Sequence, residues 1–422
     1  MRSLISILLV SSALTSAAMA QNAVSPDAEA EADTIVVTGR GQSRQVQELT
    51  TASLEVLAPG TSALKAIEKL PSVNFQSADP FGNYEWAQRV SIRSFNQNQI
   101  GFTLDGIPLG DASYGNVNGL HVSRAISPEN IGITRVSQGA GGISTQATNN
   151  LGGTIEFLSA DPLGETAIDV SGSYGSNNMY RGFVRANLGT KDGPRGYVSY
   201  SYYSTDKWKG VGEQRQHLIN AKVIVPVGNV DFDAYGSYSN RRENDYQDLS
   251  LGLIRRQGYN LDNISGNYAL ALQIADIAAN RGDSGAPALN PSAGTRYPGN
   301  IQTADDVYFN AGGLRRDALV ALGMTAPLSE TVTAKLKGYY HNNKGAGLWF
   351  TPYLPSPSGV PISVRTTEYG INRAGIFGSI DAELGINKLT VGAWFENNDF
   401  DQARRFYGLT SRTTPGVDSL KF

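Results

Sequence analysis

Thr331-Val332-Thr333-Ala334-Lys335-Leu336-Lys337-Gly338-Tyr339-Tyr340 alternates along its whole length. Successive side chains of an extended chain point to opposite faces. Val332, Ala334, Leu336, Gly338 and Tyr340 therefore share one face, and Thr331, Thr333, Lys335 and Lys337 share the other. The period recurs elsewhere. In 179–188, Tyr180, Gly182, Val184, Ala186 and Leu188 oppose Met179, Arg181, Phe183, Arg185 and Asn187. In 230–238, Val230, Phe232, Ala234, Gly236 and Tyr238 oppose Asp231, Asp233, Tyr235 and Ser237. In 388–396, Leu389, Val391, Ala393 and Phe395 oppose Lys388, Thr390 and Glu396.

Working outward, nine strands are expected near 166–174, 178–190, 195–206, 217–227, 229–241, 316–327, 330–342, 366–382 and 387–402. The turns at 191–194, 226–229, 328–330 and 383–386 are short, whereas the segments 242–315 and 343–365 are very long. Short turns at one end and long loops at the other mark a transmembrane β-barrel, with its polar face to the lumen and its apolar face to lipid. A soluble β-sandwich also alternates, but it does not sort its loops by length along successive hairpins, and its inner face is the apolar one.

Composition fits this reading. The chain has 422 residues, 47 of them Gly and 20 Tyr, with 17% charged. At about 150 residues per domain, two or three domains are expected. A net charge of −3 gives no basic footprint for nucleic acid. The absence of cysteine excludes a disulfide framework and a Cys nucleophile, and three histidines leave little for a metal site, so no cofactor is expected. No Ser/His/Asp set or paired-carboxylate motif stands out, and no enzyme is expected.

At the N-terminus, Arg2, the apolar run 4–14 and Ala18-Met19-Ala20 form a signal peptide over 1–20. Residues 21–44 read as a flexible, acidic linker. Within it Asp33-Thr34-Ile35-Val36-Val37-Thr38-Gly39 favours an extended backbone. Such a segment is either a template for a partner's sheet edge or a buried first strand of the next domain.

Residues 45–162 read as a small α/β unit. Leu64, Ile67 and Leu70 are spaced for a short helix that Pro71 stops. Strands are expected at 90–93, 100–104, 131–136 and 154–157, with a tight turn at Asp105-Gly106. Two loops expose aromatics among small polar residues: 79–88 with Phe81, Tyr84 and Trp86, and 110–119 with Tyr114 and Asn116.

Here the chain resembles the TonB-dependent receptors of the outer membrane. The segment 33–39 resembles a TonB box. Val90-Ser91-Ile92-Arg93-Ser94-Phe95, Phe102-Thr103-Leu104-Asp105-Gly106-Ile107-Pro108, Val136-Ser137-Gln138-Gly139-Ala140-Gly141 and Asn150-Leu151-Gly152-Gly153-Thr154-Ile155 resemble the plug domain, in family order. The resemblance departs at one site: the family usually has Gly where this chain has Ser94, and if that position needs φ > 0 a serine there is strained.

The resemblance implies a plug inside the lumen of a barrel of 22 strands. At about 29 residues per strand, 22 strands would need roughly 640 residues, so 163–422 is expected to be an incomplete barrel, about 40% of one. It implies a Gram-negative outer-membrane location and coupling of residues 33–39 to TonB, with ExbB and ExbD, by β-augmentation. It implies active uptake of a scarce, large ligand, a ferric siderophore or other iron complex, with carbohydrate as the alternative. A signalling receptor, an adhesin or a surface enzyme ranks lower. Phe81, Tyr84, Trp86, Tyr114 and Asn116 are the candidate ligand contacts, and the same rings would also serve to pack plug against barrel. In the long loop, a helix is expected near 268–280, and Asp245, Asp248, Asp262, Asp276, Asp283, Asp305 and Asp306 fit a solvated, mobile loop better than a calcium or iron site.

Overall fold

A computed structural model of the protein describes residues 46–110, 119–142, 145–147 and 149–422. The expected signal peptide, the linker with the 33–39 segment, Tyr114 and Asn116 lie outside the described residues.

Alternation and turn chemistry produce seventeen strands among the described residues. The first eight are short: β1 (Val46–Thr50), β2 (Val73–Gln76), β3 (Arg89–Ile92), β4 (Phe95–Asn96), β5 (Gly101–Leu104), β6 (Ile107–Pro108), β7 (Ile131–Gln138) and β8 (Gly153–Ser159). They form a five-stranded sheet, ordered β1-β7-β8-β5-β6, and a three-stranded sheet, β2-β3-β4. The helix expected over 64–70 is one α-turn, Ala63–Ala66, tightening to a 3-10 turn at Ile67–Lys69. Ser62 caps its start by accepting from the Leu64 N–H at 3.3 Å, and Pro71 restricts Leu70 to an extended backbone. Leu64, Ile67, Ile92, Leu104, Val136, Ile155 and Phe157 fill the core of this unit.

Ile92 and Phe95 pair across a two-residue loop in which Arg93 has φ 49° and Ser94 φ 69°. Both central residues are left-handed, as a hairpin turn of the mirrored kind demands. Position 94 thus does adopt φ > 0, the case in which a serine there is strained. Ser94→Gly is expected to stabilise the protein by about 0.5–1 kcal/mol, because the left-handed conformation costs an L-residue about 1–2 kcal/mol and glycine's greater chain entropy offsets part of the gain. A shift in the thermal unfolding midpoint checks it.

The remaining strands form one antiparallel sheet in sequence order: β9 (Ala167–Gly175), β10 (Met179–Gly189), β11 (Arg195–Asp206), β12 (Glu213–Val227), β13 (Val230–Asn244), β14 (Ala311–Pro327), β15 (Val332–Thr351), β16 (Ser363–Leu384) and β17 (Asn387–Gly408). All nine expected strands are found. Several run three to nine residues further than the alternation reaches, always towards the long loops; β15, for example, continues through Asn343-Lys344-Gly345-Ala346-Gly347. Where no apolar environment demands a lipophilic side, the ladder continues without alternating. Among the described residues no helix is long and apolar enough to cross a membrane.

The faces of this sheet settle the choice between sandwich and barrel. The side packed on the α/β unit is polar: Ser199, Asn220, Ser239, Arg241, Asp317, His341, Asn343 and Arg373 are buried there. The opposite side leaves Ile168, Val170, Leu322, Val391 and Phe395 between 61% and 76% exposed. A soluble sandwich has the reverse arrangement. The small unit and the sheet share one core, to which the sheet contributes Tyr235, Leu319, Ala321 and Tyr339.

The long connection after β13 contains the helix expected near 268–280, at Tyr268–Arg281. It departs from expectation in being a folded element rather than a solvated loop, with a further helix at Leu251–Gln257. Tyr268, Leu272 and Ala275 pack with Phe309, Leu348 and Phe350, while Ile274, Ile277 and Ala278 pack with Tyr297 and Val307. These partners lie far apart in sequence, so no local period announces them. The acids serve as ties: Asp262 pairs with Lys207, Asp276 with Arg412, Asp283 with Arg281 and Asp306 with Arg256. Among the described residues no three acids or histidines converge as a metal site.

Candidate functional site

The plug loop 79–88 is fixed by Asp79, whose carboxylate accepts from the backbone N–H groups of Phe81, Asn83 and Tyr84 at 2.8–3.0 Å. This Asx-type anchoring presents Tyr84, Glu85 and Trp86 to the wall of the sheet. Tyr84 is 1% exposed, and its hydroxyl donates to Asp245 Oδ1 at 2.8 Å, just beyond β13. Its ring stacks edge-on against Tyr246, centroids 5.4 Å apart, and Tyr246 in turn stands 6.1 Å from Trp208 in the β11–β12 loop. Burial pushes the Asp245 carboxyl up to about 6, against the pull of Arg315 and the Tyr84 hydrogen bond. Burial, and then Asp245, push the Tyr84 phenol well above its ordinary value, so Tyr84 keeps its proton and donates.

The sign of the Asp245 shift sets a pH dependence. Its folded value lies above the ordinary carboxylate value of about 3.9, so the folded state holds the proton more tightly. That stabilisation is complete below about pH 4 and is lost as pH rises through 6. Asp245→Asn is expected to flatten this slope, measured as the difference in unfolding midpoint between pH 5 and pH 7.5.

Beneath the loop lies a buried charge cluster. Arg124, from the helix Val122–Ala125, reaches Glu85 Oε2 at 2.8 Å and Asp317 Oδ2 on β14 at 2.5 Å. Asp317 Oδ1 is also held by His341 Nε2 at 3.0 Å and Asn343 Nδ2 at 2.7 Å on β15. Burial alone would push the Glu85 carboxyl up, yet the Arg124 and Arg315 guanidiniums hold it well below the usual range. Arg241 on β13 donates to the Asn83 carbonyl at 2.6 Å. On the far side, Asn130 donates to Ser199 at 2.7 Å and to Asn220 at 3.0 Å.

Above the cluster opens a cleft of about 460 Å³ at the long-loop end of the sheet. Its lining joins Trp86 of the plug with Tyr246 and Tyr308 of the long loop, Arg315 of β14, Trp349 of β15, Arg365 and Tyr369 of β16, and Arg404 of β17. Arg315 lies 5.6 Å over the Trp86 ring, and Arg365 lies 5.1 Å over the Trp349 ring. Tyr308 and Trp349 meet edge to face at 4.8 Å. Arg315 is buried, yet its Nε and Nη1 hydrogen-bond no protein atom, and Glu243 stands off at 3.7 Å. Asp245 and Asp248 are the acids on the lining. Three guanidiniums among aromatic rings suit an anionic ligand with planar or chelated groups, since guanidinium pairs with carboxylate in fork geometry and rings supply stacking area.

Of the five candidate ligand contacts, Trp86 lines the cleft. Tyr84 lies buried under it, Phe81 is half-buried at the rim of the plug loop, and Tyr114 and Asn116 lie outside the described residues. The arginines were not singled out from the sequence. The available signal was parity, which puts Arg241, Arg315, Arg365 and Arg373 on the lumen side of their strands but puts Arg181, Arg185 and Lys337 there as well, so it does not single them out.

Residues 39–154 match the family described as the TonB-dependent receptor plug domain. No curated protein matches the chain in sequence. Among solved structures the chain is similar to the ferric yersiniabactin uptake receptor FyuA from Yersinia pestis, at 12% identity and a TM-score of 0.59, covering 86% of this chain and 49% of that one. It is similar to the ferric citrate transporter FecA at 15% identity and a TM-score of 0.60, covering 87% and 49%. It is also similar to FpvA of P. aeruginosa bound to a heterologous pyoverdine, at 14% identity and a TM-score of 0.55, covering 86% and 43%. The chain thus spans about half the length of the structures it matches, and at these identities the likeness concerns the fold. Residues 39–154 thus match the plug domain of TonB-dependent receptors, and the nine-stranded sheet packed on it shares the fold of the barrel of such receptors.

Proposed function

We propose that this chain is part of a TonB-dependent transporter of a Gram-negative outer membrane and takes up an anionic ferric complex, of which a ferric siderophore is the leading example. The exposed apolar outer face faces lipid, and the plug blocks diffusion through the lumen, so transport needs an energy input. Residues 33–39 supply the coupling strand for TonB, which works with ExbB and ExbD. Ligand in the cleft touches both Trp86 and the Tyr246–Asp245 pair that holds Tyr84, so binding biases the plug between docked and released states.

The observation that carries the reading is Arg315: a buried guanidinium on Trp86, at the base of an aromatic cleft, with two nitrogens unsatisfied by protein. Carbohydrate uptake, the other reading, is supported by the rings but brings no charge to match the arginines of the lining. Titration of Trp fluorescence with ferric citrate, a ferric catecholate, a ferric hydroxamate and a neutral oligosaccharide separates the two. Arg315→Gln is expected to weaken the ferric complex at least tenfold, about 1.5–3 kcal/mol for a hydrogen bond to a charged group. Saturable binding of the oligosaccharide alone would move the assignment to carbohydrate.

A further inference from the structure

Outside the lumen, one group of charges has no part in the cleft or the plug seam. Arg215 on β12 pairs directly with Arg242 on β13. Arg316 on β14 lies opposite Asn240, one outward position from Arg242, and pairs directly with Lys344 on β15. All four have outward parity, the same as Tyr238, Val320 and Tyr340, which are 43%, 53% and 48% exposed. Between the two rows run Asn240 on β13 and Asn342 on β15, so these two strands pass outward from apolar, through amide, to cation; His217 and Ala318 hold the middle position on β12 and β14.

Like charges directly opposite each other in a sheet repel. Local partners relieve little of this. Arg215 pairs with Glu213 at 2.9 Å, and Arg242 donates to the Leu420 carbonyl. Arg316 and Lys344 are exposed and make no ion pair among the described residues. The outward acid of the neighbouring strand, Glu368, is taken by Arg405 and Tyr407, so the cationic row ends at β15. An open recess of about 710 Å³ lies against Arg242, Arg316 and Lys344, and Arg405, Glu368 and Asp401 also line it.

We propose that Arg215, Arg242, Arg316 and Lys344 form a docking site for a phosphate-bearing lipid of the surrounding outer leaflet. The phosphates sit on the cationic row, and the acyl chains run down over Tyr238, Val320 and Tyr340. A free phosphate would use the cations but not the apolar rows beneath, so the arrangement fits an amphiphile. This site rests on the membrane placement proposed above. Each cation near a lipid phosphate is worth about fivefold in affinity.

The test uses the protein purified in a zwitterionic detergent and titrated with a diphosphorylated glycolipid, the same glycolipid with its phosphates removed, and inorganic phosphate as competitor. The phosphorylated lipid is expected to bind at least tenfold tighter than its dephosphorylated form, and inorganic phosphate is expected not to displace it. Arg316→Gln with Lys344→Gln should weaken it about 25-fold, while Lys344→Arg should retain it. Both side chains are exposed, and an unchanged unfolding midpoint verifies the fold of each variant. Equal binding of both lipids, equal binding by the Gln variant, or displacement by inorganic phosphate would overturn the site. Protein that stays monodisperse without detergent and binds neither lipid would instead remove the membrane placement itself.

Discussion

Ile35→Pro reduces energised uptake by about two orders of magnitude and leaves ligand affinity unchanged. This is the expected result if residues 33–39 pair as an added strand, because proline removes a ladder donor and fixes φ in a segment whose only task is to hydrogen-bond a partner's edge. The β-branched run Thr34-Ile35-Val36-Val37-Thr38 is already extended by preference, so it loses little entropy on pairing. Deleting 33–39 should act in the same way. The measurement is accumulation of labelled ferric complex in energised cells beside equilibrium binding to the purified protein. Uptake that survives the deletion would refute the coupling role.

Arg124→Met should be the most destabilising single change in the plug. Arg124 is 1% exposed and joins Glu85 of the plug to Asp317 of the sheet. Removing it takes from two buried carboxylates the cation that bonds them both, which costs about 3–5 kcal/mol. His341 and Asn343 still reach Asp317, and Arg315 still acts on Glu85, but the direct bonds of Arg124 to both acids are lost. The expected readouts are a lowered unfolding midpoint and faster proteolysis within the plug. Adding Glu85→Gln and Asp317→Asn should recover much of the loss, because the triple variant buries no unpaired charge. A variant as stable as the parent would show that the cluster is solvated in the folded protein.

The sheet was legible because a period of two is a direct imprint of two unlike environments on one strand. All nine strands appear in the sequence from Ala167 to Gln402 for that reason. The turn at Asp105-Gly106 was legible because its residue types suit a left-handed backbone; Ser94 stood out only against the glycine of the family it resembles. The cleft was less so. Trp86 could be picked out, but Arg315, Arg365 and Arg404 come from three strands and converge only through register, which alternation does not encode. The loop between β13 and β14 was misread as solvated because its apolar residues meet partners on other strands, such as Leu348 and Phe350. Tyr84 was chosen for its ring, whereas its hydroxyl bond to Asp245 is what places it.

Beside the shared core of Tyr235, Leu319, Ala321 and Tyr339, the seam between plug and wall holds many hydroxyls, amides and ions: Ser199, Asn220 and Arg241 facing Asn130, Ser127 and the Asn83 carbonyl. A greasy seam of the same extent would resist opening in proportion to the oily area uncovered, and would tend to trap whatever came apart. This seam can instead be wetted as it parts, with water taking over most of the broken contacts one at a time. A pull along the chain therefore meets a series of small steps, apart from Arg124, and the stopper can reseat itself once the tension is gone.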